Sequence, residues 1–163
     1  MSYGIDIPID NLVLKFISEL WTDKNNVFKG RIQRTIKSDG TYPEWFNPNT
    51  GDYEDVLLND AVDSVCFFDV QSNEDYTSRF NADVWICFAI NLKTLYPLIS
   101  ERATEYAHKD AIDIIKRFSS FKPTGIVRGL DAFNDYKLVK ITDNMNKFYL
   151  FRVNAKIVYP QNC

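Results

Sequence analysis

The stretch NADVWICFAINL, Asn81 to Leu92, predicts a strand that is apolar on both faces. Successive side chains of a strand point to opposite sides. Val84, Ile86, Phe88, Ile90 and Leu92 therefore share one face, and Trp85, Cys87 and Ala89 share the other. A sheet with one wet face carries polar residues at alternate positions. This strand does not, so the fold has to supply a covering layer on each side of it.

The flanking segments say where those layers come from. Asp60 to Leu92 reads as one long hairpin, with AVDSVCFFDV (Ala61 to Val70) as its first strand and QSNEDYTSRFN as a polar turn. Pro97 predicts the first turn of a helix, PLISERATEYAHKDAIDIIKRFSSF, since proline fits where an amide hydrogen has no partner. Ile99, Ala103, Tyr106, Ala107, Ala111, Ile114, Ile115 and Phe118 make its apolar face. Ala103, Ala107 and Ala111 form a row of small side chains that lets the helix lie close to a sheet. Glu105 with Lys109, and Asp113 with Arg117, are spaced for ion pairs on its wet side.

Asp10, after Pro8, predicts the N-cap of an earlier helix. Leu12, Leu14, Phe16, Ile17, Leu20 and Trp21 supply its apolar side. A strand is expected over 27–37, with Phe28, Gly30, Ile32 and Ile36 on one face and Lys29, Arg31, Gln33, Thr35 and Lys37 on the other. Residues 38–60 then read as a long loop or arm, punctuated by Asp39-Gly40, Asn47-Pro48 and Thr50-Gly51. Its aromatic residues, Tyr42, Trp45, Phe46 and Tyr53, argue that it packs on something. FKPTGIVRGLDAFND reads as a second irregular connection. A closing hairpin pairs Tyr136–Ile141 with a strand from Lys147 to Tyr159.

The order is helix, three strands, helix, two strands. It predicts a single α+β domain over 1–163, with one mostly antiparallel sheet and two helices packed on it. The 163 residues suit one domain, and 45% hydrophobic residues suit a packed core. Aromatic residues at 15% are a surplus for so small an interior, and aromatics are favoured at contacts between chains. The first helix could cover the Trp85, Cys87, Ala89 face. A second copy of the chain could do so too, and apolar groups on both sheet faces favour that source.

Chemistry is sparse. The one histidine, His108, lies at the border of the second helix's apolar face, three residues after Glu105. No serine or cysteine beside it has a nucleophile signature. Asp52, Glu54, Asp55, Asp60 and Asp63 are acidic but lack calcium-loop spacing. The glycines do not cluster as a phosphate loop needs. Cys66 and Cys87 fall inside strand patterns and read as small core residues, and with Cys163 they imply a reducing compartment. Neither an enzyme nor a metal or cofactor site is expected. Lys29, Arg31 and Lys37 form a basic stripe that could track a phosphate backbone, although the net charge of −3 speaks against a general nucleic-acid binder. No apolar run approaches the length of a membrane span.

DVWICFAINLKTLYPLISERATEYAHKDAIDIIKRF, Asp83 to Phe118, resembles the centre of small phage tail-terminator and head-to-tail connector (neck) proteins. There a strand leads through a short Leu/Tyr-Pro turn into a long helix. The initial helix, the basic strand and the late Phe148–Tyr159 strand also fit that layout. The long aromatic loop departs from it.

The resemblance implies a structural virion protein: a homo-oligomeric ring, hexamer or dodecamer, at the phage neck or tail end, made in the host cytoplasm. Its partners would be portal, connector or tail-tube proteins, with at most weak contact to DNA in transit past Lys29, Arg31 and Lys37. Strand-edge and loop contacts would join the copies, through Tyr42, Trp45, Phe46, Tyr53 and Trp85. Two alternatives stand beside it: a small soluble enzyme using His108, and an adaptor that binds a host protein through residues 41–60.

Overall fold

The structure is a computed structural model that describes residues 5–34, 43–47, 51–55, 62–73, 79–99, 101–133 and 148–160. It is an α+β fold. Helix α1 (Asp6–Glu19) leads into β1 (Asn26–Arg31), and β5 (Ser64–Asn73) and β6 (Arg79–Ile90) form the central hairpin. Helices α2 (Leu92–Leu95) and α3 (Ala103–Ile115) precede β7 (Phe121–Arg128) and β8 (Tyr149–Pro160). The main sheet has the order β1-β5-β6-β8-β7. Its pairings are antiparallel except β1 with β5, which run parallel.

One face of this sheet meets the helices. Val84, Ile86, Phe88 and Ile90 of β6 pack with Cys66 and Phe68 of β5 and Phe151, Val153 and Ile157 of β8. Ile9, Leu12 and Phe16 of α1 and Ala107, Ala111, Ile114 and Ile115 of α3 close over them, all buried. Ala107 and Ala111 have no exposed surface, so the small-residue row does bring α3 onto the sheet. Phe88 stacks on its cross-strand partner Phe151 at 4.8 Å and meets the edge of Trp21 at 6.1 Å. Such ring pairs add to the area they bury.

The opposite face holds a second, smaller core: Val65 and Phe67 of β5, Cys87 and Ala89 of β6, and Leu150 of β8. The first helix does not cover it, because α1 lies on the other side. Residues just outside the strands fold over it: Ile32 after β1, Val62 before β5, Phe148 before β8, and Ala132 from a 3-10 turn at Gly129–Phe133. Arg152 ties that turn down. Its guanidinium stacks 3.7 Å above the Trp85 ring, and Nη1 reaches the Ala132 carbonyl at 3.4 Å. Phe67, Cys87 and Ala89 are at most 2% exposed. The second layer is therefore the chain's own, and the expectation that another copy supplies it is corrected.

Several boundaries differ from the sequence reading, each for a physical reason. Helix α1 begins at Asp6 rather than after Asp10, with Pro8 in its first turn and no side-chain cap on Ile5. Leu14 and Ile17 turn out to water. The helix expected from Pro97 splits in two. Asn91 caps α2, accepting a hydrogen bond from the Thr94 amide at 3.3 Å. Pro97 lies in a turn, and α3 starts only at Ala103, after Arg102 in the left-handed region.

The ion pairs on α3 shift as well. Lys109 bonds Asp113 at 2.6 Å, and Arg117 reaches Glu19 of α1 at 2.7 Å. FKPTGIVR is the edge strand β7, not an irregular connection, and it takes the place beside β8 that the closing hairpin was expected to fill. The segment Tyr136–Ile141 lies outside the described residues.

The 38–60 loop holds regular structure that the turn signals did not suggest. Short strand β2 (Gln33–Arg34), β3 (Pro43–Asn47) and β4 (Asp52–Asp55) make a separate three-stranded antiparallel sheet. Trp45 pairs with Glu54, and Phe46 with Tyr53. Gly51 sits in the β3–β4 turn at φ 76°, a value glycine takes without strain.

Candidate functional site

Among the described residues an open groove of about 930 Å³ lies at the end of β6. Three elements build it. Asn91 and α2 form one wall, where the chain leaves β6. Ile99 and the first residues of α3 form the second. Phe148 and Tyr149, entering β8, form the floor. Leu92, Ile99 and Phe148 give it apolar surface. Lys93 and Arg102 are its charged lining residues among those described. The amino end of α3 adds the positive pole of a helix there.

His108 lies behind this floor rather than in the groove. It is 5% exposed, packs against the Phe151 ring at 4.7 Å and has Nε2 2.8 Å from the Tyr149 hydroxyl. Burial lowers its pKa below the ordinary 6.5; the Arg128 charge pushes the same way, and Glu105 opposes them. Burial also raises the Tyr149 phenol, against Arg128. A neutral imidazole and a protonated phenol are what this pair holds near neutral pH. Only the phenol borders the groove, so a molecule bound there would meet a hydrogen-bonding hydroxyl and not a general base.

A second polar network braces the wall opposite. The Tyr96 hydroxyl donates to the Asp110 carboxylate in a short hydrogen bond and accepts from Trp21 Nε1 at 2.8 Å. Burial, then the bond to Asp110, raises the Tyr96 pKa. This network joins the end of α1, the α2–α3 connection and α3, and so fixes where Lys93 and Arg102 stand.

The residues singled out from sequence are scattered. Trp45, Phe46 and Tyr53 fall on the β3–β4 hairpin, and Tyr42 lies outside the described residues. Trp85 is half-buried under Arg152 on the second face. The basic stripe does not survive folding as a stripe. A register shift in β1 between Phe28 and Arg31 changes the phase of the strand. Arg31 turns to α1 and pairs with Asp6 at 3.1 Å, while Ile32 goes to the opposite core. Lys29 is half-buried, and Lys37 lies outside the described residues.

Cys66 and Cys87 are buried free thiols, and burial pushes the Cys66 thiol well up, away from reactivity. Sequence reasoning missed the groove. Its residues come from separated segments, and the local sign in the sequence was a pair of cations, Lys93 and Arg102, flanking a proline turn.

No helix among the described residues is long and apolar enough to cross a membrane. Nor do those residues include a group of three histidine, cysteine or acidic side chains placed to hold a metal ion. No protein-family model matches the chain, and no curated protein matches it.

Proposed function

We propose that this chain is a structural subunit of a ring at the neck or tail end of a phage particle, in the tail-terminator or tail-completion role. The observation that carries the reading is the pairing of an α+β body, both of whose sheet faces are buried, with a separate three-stranded sheet, β2–β4. A sheet outside the main fold that carries Trp45, Phe46 and Tyr53 suits contact with a neighbour. The order of elements agrees with the tail-terminator resemblance. With both faces of the main sheet buried inside one copy, assembly would rest on the hairpin and surface grooves. No catalytic step belongs to this reading, and His108 serves packing.

Mass measurement by light scattering, alone and with a phage tail-tube or portal protein, tests the proposal. Six or twelve copies in a closed particle, seen also as rings by electron microscopy, is the expected result. A chain that stays monomeric at high concentration in the presence of both partners would overturn it.

A further inference from the structure

The chain's one imidazole, His108, sits in the seam where α3 meets the sheet. Ala107 beside it and Ala111 one turn on have no exposed surface, so this part of the helix lies close on the strands. The ring packs on Phe151 at 4.7 Å and beside Tyr149 at 5.7 Å, both on β8. Its Nε2 lies 2.8 Å from the Tyr149 hydroxyl.

A neutral imidazole suits this seat. One of its nitrogens donates, the other accepts, and a hydroxyl can answer either. Protonation changes the demand. Both nitrogens then donate, the Tyr149 oxygen can answer one of them, and a full charge stands in a buried seam. Charges face the ring from two elements among the described residues. On β7, Arg128 is the cross-strand neighbour of Phe151, and its like charge opposes protonation. On α3 itself, Glu105 favours the charged ring. Tyr149 on β8 brings no charge near neutral pH, since burial holds its phenol protonated. Arg128 and Glu105 are exposed and screened by solvent, so burial decides.

We infer that His108 is an acid-sensitive clasp: protonating its ring unseats the amino half of α3 from β8 while the centre of the sheet stays folded. The far end of the helix is held by other means. Ile114 and Ile115 are buried, and Arg117 Nη1 donates to Glu19 of α1 at 2.7 Å. Hydrogen bonds from Lys15 and Arg117 hold the Glu19 carboxyl below the usual carboxylate range, so that tie outlasts the clasp as pH falls. Because the folded His108 pKa lies below the ordinary 6.5, the seat is whole above about pH 6.5 and weakens as pH drops from there. A helix of about 12 residues is marginal in water on its own, so a half lifted off the sheet opens its backbone hydrogen bonds.

Amide exchange of the full chain, followed by NMR between about pH 7 and about pH 5.5 and corrected for the intrinsic effect of pH, tests the clasp. The amides of Ala107 to Ala111 are expected to lose protection as pH falls, while those of Val84 to Ala89 in β6 keep theirs. The imidazole resonance is expected to titrate below the ordinary value of about 6.5, with the α3 loss tracking it. His108→Gln keeps a group that can bond Tyr149 but cannot take up the charge, and is expected to hold its α3 protection throughout.

Unchanged α3 protection in wild type overturns the clasp. So does a loss that β6 shares equally, or one that His108→Gln shows to the same extent. If His108→Gln does not fold, the wild-type chain decides alone: an imidazole that titrates at or above about 6.5, or an α3 loss that does not follow its titration, overturns the inference.

Discussion

Leu150→Ala is the sharpest test of where the second layer of the sheet comes from. Leu150 is 4% exposed and packs in the small core with Phe67, Cys87 and Ala89. Truncation removes three carbons, worth about 2.4 kcal/mol at ~0.8 kcal/mol per buried methylene. A residual cavity adds to this, and measured Leu→Ala costs run about 2–5 kcal/mol. Cys87 and Ala89 are too small to fill the space, so part of the cavity persists and we expect about 3 kcal/mol. For a domain of this size that is a drop in Tm of roughly 5–10 °C.

Urea unfolding at widely separated protein concentrations reads it, with Leu14→Ala as the control. Leu14 is 63% exposed on α1 and should cost less than about 0.5 kcal/mol. If the chain closes its own sheet, the Leu150→Ala loss is the same at every concentration. A loss under about 1 kcal/mol in dilute solution, or one that appears only as copies associate, would refute the self-covered face.

Tyr96→Phe removes a hydroxyl that bonds both Asp110 and Trp21 Nε1. It should cost about 1–3 kcal/mol by denaturant unfolding, with a double-mutant cycle against Asp110→Asn showing coupling. His108 has a folded pKa below its ordinary 6.5, so the unfolded chain binds its proton first as pH falls. Its stabilising contribution is whole above about pH 6.5 and is lost as pH drops from there toward the folded value. Stability measured from about pH 7 to about pH 5.5 should therefore decline in wild type and flatten in His108→Gln, since the carboxylates that folding favours, Glu19 and Asp113, lose theirs only at lower pH.

The main sheet was legible because period-two patterning is strong where strands are central. The two faces of β6 divide as the alternation of Val84 to Ile90 against Trp85 to Ala89 implies. The row Ala107, Ala111 marked the face that α3 buries against the sheet. Phase failed where the backbone is irregular. A single register shift in β1 sends Arg31 to Asp6 and Ile32 to the far core, and no pattern in FKGRIQ announces it.

Turn residues misled twice. Asn47 and Gly51 belong to a paired hairpin that the turn signals around them did not announce, and Pro123 with Gly125 sits in an edge strand, where proline is tolerated. The groove was the least legible feature, since it exists only once Asn91, Arg102 and Tyr149 are brought together by the sheet.

The same irregularities narrow how copies of the chain could join. Adding a strand at a sheet edge is the simplest route, and it needs a flat edge with free backbone groups. Here both edges are spoiled. On one side β7 contains Pro123 and a register shift between Pro123 and Gly125, with Thr124 Oγ1 bonded back to the Asn154 carbonyl at 3.1 Å. On the other, β1 is short, shifts register before Arg31 and continues into the β2–β4 sheet. Strand-edge contact, which the sequence pattern made the natural driver of a ring, is therefore the weaker route. With the faces closed and the edges broken, the large apolar side chains left uncovered among the described residues are Leu14 and Ile17 on α1, Leu98 in the α2–α3 connection and Tyr106 on α3.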